Sequence, residues 1–213
     1  MNTTAGLQIT SVRTADCYSS GERKWMVLTQ QWRGRILAPL LRLLTRFGVS
    51  PDHLTLLSLV VGLAGCGLWL VDPVATLACV LLHVLIDGLD GPLARHQQVA
   101  SPRGSFTDTM ADQAVVTAVT VTLMFARHLS VPAGGSFIFL YAVVALFAMA
   151  RNLMRRPYAW VIRPRFIFYA WIPFELWMLP GTMNWLVWCC NALLGLSALT
   201  GFLAIRRRLG RRP

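Results

Sequence analysis

Residues 87–112 read DGLDGPLARHQQVASPRGSFTDTMAD, a polar stretch between two long apolar segments. Residues three or four positions apart share one face of a helix, so Asp87 pairs with Asp90 and Asp108 pairs with Asp112. Two antiparallel helices joined by the short loop from Arg95 to Gly104 would bring these pairs together. The stretch therefore predicts one cavity lined by four carboxylates.

Four carboxylates in one cavity repel each other strongly unless cations lie between them. At about 1.5 Å per helical residue, Asp87 lies roughly 12 Å inward from Arg95, where an unpaired charge costs several kcal/mol. Oxygen ligands favour Mg²⁺ or Mn²⁺ over zinc, and four carboxylates are enough to hold two ions that handle a phosphate. We therefore expect a site for two divalent cations.

The composition predicts an integral membrane protein. Of 213 residues, 55% are hydrophobic and only 14% are charged, which is too apolar for a soluble domain of this length. A membrane span needs about 20 apolar residues, and six such segments recur. The prediction is an all-α membrane fold of six transmembrane helices, at residues 53–71, 74–94, 106–125, 132–150, 166–179 and 184–205.

The basic residues predict the orientation of these spans, because positively charged loops stay in the cytoplasm. If the chain crosses six times, every basic cluster falls on one side and only Arg127 falls on the other. Both termini and the aspartate site are then cytoplasmic, while Asp72 and Arg127 flank external turns. This distribution also explains the net charge of +11 without a nucleic-acid partner.

The chain before the first span divides into two segments. Residues 1–21 are polar and predict a flexible cytoplasmic tail. Across residues 22–48 apolar side chains recur every three or four positions, which predicts an amphipathic helix on the membrane surface, with a soluble interaction helix as the alternative. The remaining divisions are a six-helix domain at 49–206 and a basic cytoplasmic tail at 207–213.

The aspartate stretch resembles the signature of the CDP-alcohol phosphotransferase family, D-x-x-D-G-x-x-A-R-x8-G-x-x-x-D-x-x-x-D, at every fixed position. The resemblance implies that all four aspartates are metal ligands and that Asp112 is also the catalytic base. It further implies that the CDP moiety is bordered by Gly91, Ala94, Arg95 and Gly104. A family member is also expected to form a homodimer.

Residues 50–55, SPDHLT, resemble the family segment that opens the first span. The resemblance implies that Asp52 and Thr55 contact the cytosine. A Pro-Asp pair after a serine is also a common way to begin and cap a helix, and both interpretations stay open here.

The function implied is metal-dependent transfer of a phosphatidyl group from CDP-diacylglycerol to an alcohol, with release of CMP, in phospholipid biosynthesis. Two other classes are an Asp-rich membrane prenyltransferase and a cation-binding protein without enzymatic activity.

An arginine cluster predicts an anionic acceptor such as glycerol 3-phosphate, although positive-inside topology alone accounts for it. Its members are Arg151, Arg155 and Arg156, with Arg163 and Arg165 nearby. Three other acceptors stay open, namely inositol phosphate, serine, and diacylglycerol with a CDP-alcohol donor.

Two further polar residues lie inside predicted spans. Glu175 is near the external end of the fifth span, where we expect a structural or interfacial role. His83 precedes Asp87 by one helical turn and is expected to be a packed core histidine.

Overall fold

The computed structural model describes residues 36–154, 156–159 and 163–210, and within these ranges the chain forms seven helices. The first, α1, covers residues 36–46. The others are α2 (Pro51–Leu68), α3 (Pro73–His96), α4 (Pro102–Phe125), α5 (Val131–Leu153), α6 (Arg165–Trp177) and α7 (Met183–Leu209). Each of the six predicted apolar segments coincides with one of the helices α2 to α7.

The three helices that carry the aspartate site begin at defined caps. Ser50 precedes α2 and accepts the His53 backbone N–H at 3.2 Å, while the His53 ring accepts the Ser50 N–H at 3.3 Å, forming a capping box. Asp72 accepts the Val74 N–H at 2.8 Å before α3, and Ser101 caps α4. A proline follows each cap, where its missing N–H costs nothing.

The helices pack around one large apolar core. Helix α2 lies against α3 and α4, and α5 lies against α7. Val115 and Phe137 are fully buried there. Helices α2 and α4 approach closely at Gly62, because a Cβ at that glycine would stand 2.8 Å from a methyl of Val115. A larger residue would push these helices apart, so Gly62 fixes the spacing behind the aspartates.

A second small cluster, Leu41, Leu54 and Leu93, joins α1 to α2 and α3. The opposite face of α1 and the turn that follows it are apolar but exposed, with Ile36 70% and Phe47 74% accessible. This pattern suits a helix with one face on protein and another on lipid. Residues 22–35 of the predicted amphipathic helix lie outside the described residues, and its location on a membrane surface stays a prediction.

Four helices of the described chain, α2, α3, α5 and α7, are long and apolar enough to cross a bilayer. The fold is therefore all-helical and of the multi-pass membrane type. Helix α4 has the length but carries Asp108, Asp112 and several threonines, which lower its hydropathy. Helix α6 has only 13 residues, or about 20 Å at 1.5 Å per residue, less than the roughly 30 Å apolar layer of a bilayer.

Glu175 has the structural role predicted for it. Its carboxylate is buried and accepts the backbone N–H groups of Gly181 and Met183, both at 2.8 Å. These groups lie at the beginning of α7, where unpaired N–H donors and the helix dipole favour a negative charge. The ring of His128, at 3.6 Å, lies beside the same carboxylate. Glu175 thus joins the end of α6 to the start of α7.

Candidate metal and nucleotide site

Three of the predicted aspartates meet at one point between α3 and α4. Asp87, Asp90 and Asp108 each offer one carboxylate oxygen, and these oxygens lie within 4.8 Å of one another. Asp87 and Asp90 share a face of α3 because they are three residues apart. The sequence prediction that the two helices bring their carboxylates together agrees with this geometry.

The side chains around the three oxygens fit a hard divalent cation. The donors are all carboxylates, the ligand type that Mg²⁺ and Mn²⁺ prefer. Among the described residues, Oδ1 of Asp108 is buried and has no hydrogen-bond partner, which is costly for a carboxylate unless a cation binds it. The Thr55 hydroxyl donates to Oδ2 of Asp90 at 2.8 Å and so orients that ligand. Asp87, Asp90 and Asp108 would hold the ion.

Asp112, the fourth aspartate, is paired with an arginine from another helix. Arg165, the first residue of α6, forms ion pairs with Asp112 and with Asp87, the latter at 3.0 Å. All three side chains are over nine-tenths buried. The arginine thus brings a fixed positive charge to the side of the cluster formed by Asp112, and a second cation bound by Asp112 would share that carboxylate with Arg165.

Behind these carboxylates lies a layer of buried aromatic and imidazole groups. The His83 ring has Nδ1 at 3.1 Å from the Ser58 carbonyl oxygen, so that nitrogen carries the proton and donates. Its ring meets Tyr169 edge to face, with centroids 6.4 Å apart. His83 is therefore the packed core histidine that the sequence predicts.

A cavity of about 450 Å³ opens beside the carboxylate cluster. Its wall includes every residue that the family resemblance associates with CDP: Asp52, Thr55, Gly91, Ala94, Arg95 and Gly104. Asp90 and Asp108 line it as well, so the cavity and the candidate metal site share two side chains. Whether these residues bind CDP stays a prediction. Thr55 also makes a contact that the sequence did not reveal, its hydrogen bond to Asp90.

The cavity wall also contains residues that the sequence analysis did not select, among them Gln97, Ser101 and Arg103. The Gln97 amide donates to the Val49 carbonyl at 2.8 Å and to the Thr45 hydroxyl at 3.2 Å. These bonds join the end of α3 to the turn between α1 and α2. Nothing in the local sequence distinguishes Gln97, because its partners lie about fifty residues away.

Of the predicted acceptor arginines, Arg151 lies in the last turn of α5 and Arg156 lies on the connection that follows. Arg151 donates from Nε to the Arg156 carbonyl at 3.0 Å and stacks on the Tyr158 ring. Arg156 is exposed, and Arg155 lies outside the described residues. Their binding of an acceptor stays a prediction.

The sequence analysis places Arg165 near the basic cluster and does not predict its contact with the aspartates. One sequence feature indicates that Arg165 faces the bundle. Its spacing from the apolar residues Phe168, Tyr169 and Ile172 places it on the same helix face, and all of these residues are buried.

Comparison with known proteins agrees with this geometry. Residues 48–197 match the CDP-alcohol phosphatidyltransferase family. The chain belongs to this family of membrane transferases of phospholipid biosynthesis, and the resemblance drawn from the aspartate signature is confirmed.

Archaetidylinositol phosphate synthase of Aeropyrum pernix is 36% identical over 83 residues, which is 38% of this chain and 43% of that protein. An uncharacterized protein of Aquifex aeolicus is 34% identical over 79 residues, 37% of this chain and 40% of that protein. The chain therefore spans less than half the length of these two curated relatives.

Removal of one carboxylate from the cluster is expected to weaken cation binding. Asp108→Asn takes away a charged ligand oxygen and should reduce Mn²⁺ affinity at least tenfold, measured by the free Mn²⁺ signal in electron paramagnetic resonance. Asp72→Asn is the matched control, because it removes a carboxylate outside the site and asparagine caps a helix as well as aspartate does. Equal Mn²⁺ affinity in Asp108→Asn and wild type would contradict the metal site.

Loss of Arg165 is expected to destabilise the protein most when no divalent ion is present. Arg165→Gln leaves two buried carboxylates without their partner, a change that costs about 3–5 kcal/mol and should lower the Tm by roughly 10 °C. Added Mn²⁺ should recover more stability in this variant than in wild type. Arg206→Gln, an exposed position on α7, is the control. If Arg165→Gln has the same Tm as wild type in the presence of chelator, the ion pairs contribute nothing to the stability of the protein.

Proposed function

We propose that this chain transfers a phosphatidyl group from CDP-diacylglycerol to an alcohol, with release of CMP, and that the reaction requires Mg²⁺ or Mn²⁺. The observation that carries the proposal is the shared wall of the cavity and the carboxylate cluster. Asp90 and Asp108 belong to both, so a diphosphate bound in the cavity would lie against any cation bound there. An apolar bundle around the site suits a donor whose acyl chains remain in the bilayer.

The proposed reaction is a displacement at the phosphorus atom nearer the lipid. The acceptor hydroxyl oxygen forms a new bond to this phosphorus, the bond to the oxygen of CMP breaks, and CMP leaves with that electron pair. Divalent ions supply charge stabilisation for the diphosphate when bound. We assign the hydroxyl proton to Asp112, because its Oδ2 pairs with Arg165 while its buried Oδ1 has no hydrogen-bond partner among the described residues.

We further propose that two ions bind. Asp87, Asp90 and Asp108 would hold one of them, and Asp112 would contribute to the second together with shared oxygens of the cluster. The charge of the site supports this number, since four carboxylates and one arginine leave a net charge of −3 before a diphosphate enters.

The acceptor we propose is a phosphorylated alcohol. Arg165 places a positive charge on the Asp112 side of the cluster. Arg151 at the end of α5, with Arg155 and Arg156 just after it in the sequence, adds further positive charge. Guanidinium groups bind phosphate through paired hydrogen bonds. The sequence analysis favours glycerol 3-phosphate, whereas the name of the Aeropyrum relative favours an inositol phosphate. Both compounds present an anion and a hydroxyl.

The acceptor class is tested with purified protein, CDP-diacylglycerol and Mg²⁺. We expect CMP release to depend on glycerol 3-phosphate or inositol phosphate, and Asp87→Asn to abolish it, because a lost ligand leaves the diphosphate charge uncompensated. The assay also includes serine as an acceptor and, separately, diacylglycerol with a CDP-alcohol donor. The masses of the products identify the acceptor that is used. Efficient use of serine alone would defeat the phosphorylated-alcohol assignment. Full turnover in excess chelator, or no CMP release from any donor, would defeat the reaction class and favour the prenyltransferase or cation-binding alternatives.

We propose six membrane crossings, with both termini and the active site in the cytoplasm. The clustering of arginines beside the aspartate end of the bundle supports this orientation. In a variant whose native cysteines are replaced by serine, a cysteine at Val71 should react with an impermeant maleimide added outside intact cells. A cysteine at Gln98 should react only after the membrane is opened. The reverse pattern would refute the orientation.

A homodimer is also proposed. Large apolar side chains are exposed along α2, α3 and α7, and a second copy would cover part of this surface, as lipid would cover the rest. A mass measurement in nanodiscs that finds only active monomer would remove the dimer.

A further inference from the structure

Tyr158 joins the connection between α5 and α6 to the side of α7. Its side chain is 5% exposed, and its hydroxyl donates to the backbone carbonyl oxygen of Ser197 at 2.9 Å. Burial raises the pKa of the Tyr158 hydroxyl above its ordinary value, so the group remains a protonated donor. Tyr158 is therefore anchored in the helix bundle by both its ring and its hydroxyl.

The surface of α7 is shaped to receive this tyrosine. A Cβ built at Gly201 would overlap the Tyr158 hydroxyl and would also stand 2.9 Å from Cδ2 of Phe147 on α5. Glycine at this position therefore leaves the space that the tyrosine fills. Gly195, two turns earlier on the same helix, has no atom within 4 Å of the corresponding position. The tight contact is specific to Gly201 and is not a general feature of glycines on α7.

The other face of the tyrosine ring supports Arg151. The guanidinium carbon of Arg151 lies 4.0 Å from the ring centroid, a distance at which a cation is attracted to an aromatic face. Nε of Arg151 donates to the Arg156 carbonyl at 3.0 Å and Nη2 donates to the Pro157 carbonyl at 3.4 Å. Three contacts thus hold the guanidinium in one place, although arginine side chains ordinarily have many rotamers.

We propose that Tyr158 is a positioning residue for the acceptor, acting through Arg151. This inference rests on the proposed function, in which a phosphorylated alcohol is bound by arginines at the α5–α6 connection. A guanidinium that is already fixed loses less entropy when it binds a phosphate. Tyr158 supplies the support, and Gly201 supplies the space for Tyr158. If the tyrosine only packed the helices together, the affinity for acceptor would not depend on it specifically.

The test uses purified full-length protein with Tyr158→Phe, Gly201→Ala and their double variant, and Gly195→Ala as the matched control. Tyr158→Phe removes only the hydrogen bond to Ser197 and keeps the ring under Arg151. Gly201→Ala pushes the ring away from α7. We expect the KM for the phosphorylated acceptor to rise roughly fivefold in each single variant, the size expected for loss of one hydrogen bond. The KM for CDP-diacylglycerol and kcat at saturating acceptor should stay within about twofold of wild type.

Two further measurements make the test specific. A Cβ at Gly201 would overlap mainly the Tyr158 hydroxyl, and Tyr158→Phe removes that hydroxyl. The two effects should therefore not add, and the double variant should have the acceptor KM of Tyr158→Phe alone. Amide hydrogen exchange of residues 156–159 should be faster in both single variants and unchanged in Gly195→Ala. This exchange measurement does not depend on the identity of the acceptor.

The possible results separate the two proposals. Faster exchange with an unchanged acceptor KM, or an equal rise in both substrate KM values, would overturn the positioning role and leave the proposed function intact. An equal acceptor KM increase in Gly195→Ala would overturn it also. If wild-type protein released no CMP with any phosphorylated acceptor, the proposed function itself would fail, and the positioning role would fail with it.

Discussion

Repulsion among four carboxylates in an apolar bundle is the constraint on which the rest of the site depends. Three of them, Asp87, Asp90 and Asp108, bring oxygens within 4.8 Å of one another, and each would be costly to bury alone. The fold offsets this cost with particular groups. Arg165 neutralises part of the charge on Asp87 and Asp112, and Thr55 donates to Asp90. The charge that remains is of the kind that divalent cations would neutralise.

The same constraint accounts for features of the scaffold that lie away from the carboxylates. The aspartates can share a cavity only if α3 and α4 keep a fixed register, and both helices begin at a side-chain cap followed by proline. Gly62 then permits α2 to approach α4 closely. Helix α6 must also begin beside the cluster, because its first residue, Arg165, forms ion pairs with Asp87 and Asp112. The capping of α7 by Glu175 fixes the other end of α6, so α6 is held at both ends.

The site has two sides of different character, and this asymmetry agrees with a reaction between two unlike substrates. On one side is an open cavity that shares Asp90 and Asp108 with the carboxylate cluster. On the other side is Arg165, which begins the helix that follows the connection anchored by Tyr158 against α7. Under the proposed function, the first side would take the nucleotide diphosphate and the second would take the acceptor.

The sequence by itself determined the helical membrane class, the helix positions and the pairing of the aspartates, because these depend on local apolar periodicity and on residues three or four apart. It also determined the family, because eight fixed residues at fixed spacing lie within 26 positions. Only the tertiary structure decided that Arg165 lies between Asp87 and Asp112, that Thr55 orients Asp90, and that Arg151 stacks on Tyr158. Arg165 is 78 residues from Asp87, and Thr55 is 35 residues from Asp90. Contacts between residues so far apart in sequence depend on how the helices pack. An arginine that anchors a helix at the membrane surface and one that neutralises a buried carboxylate have the same local sequence pattern, and only packing distinguishes them.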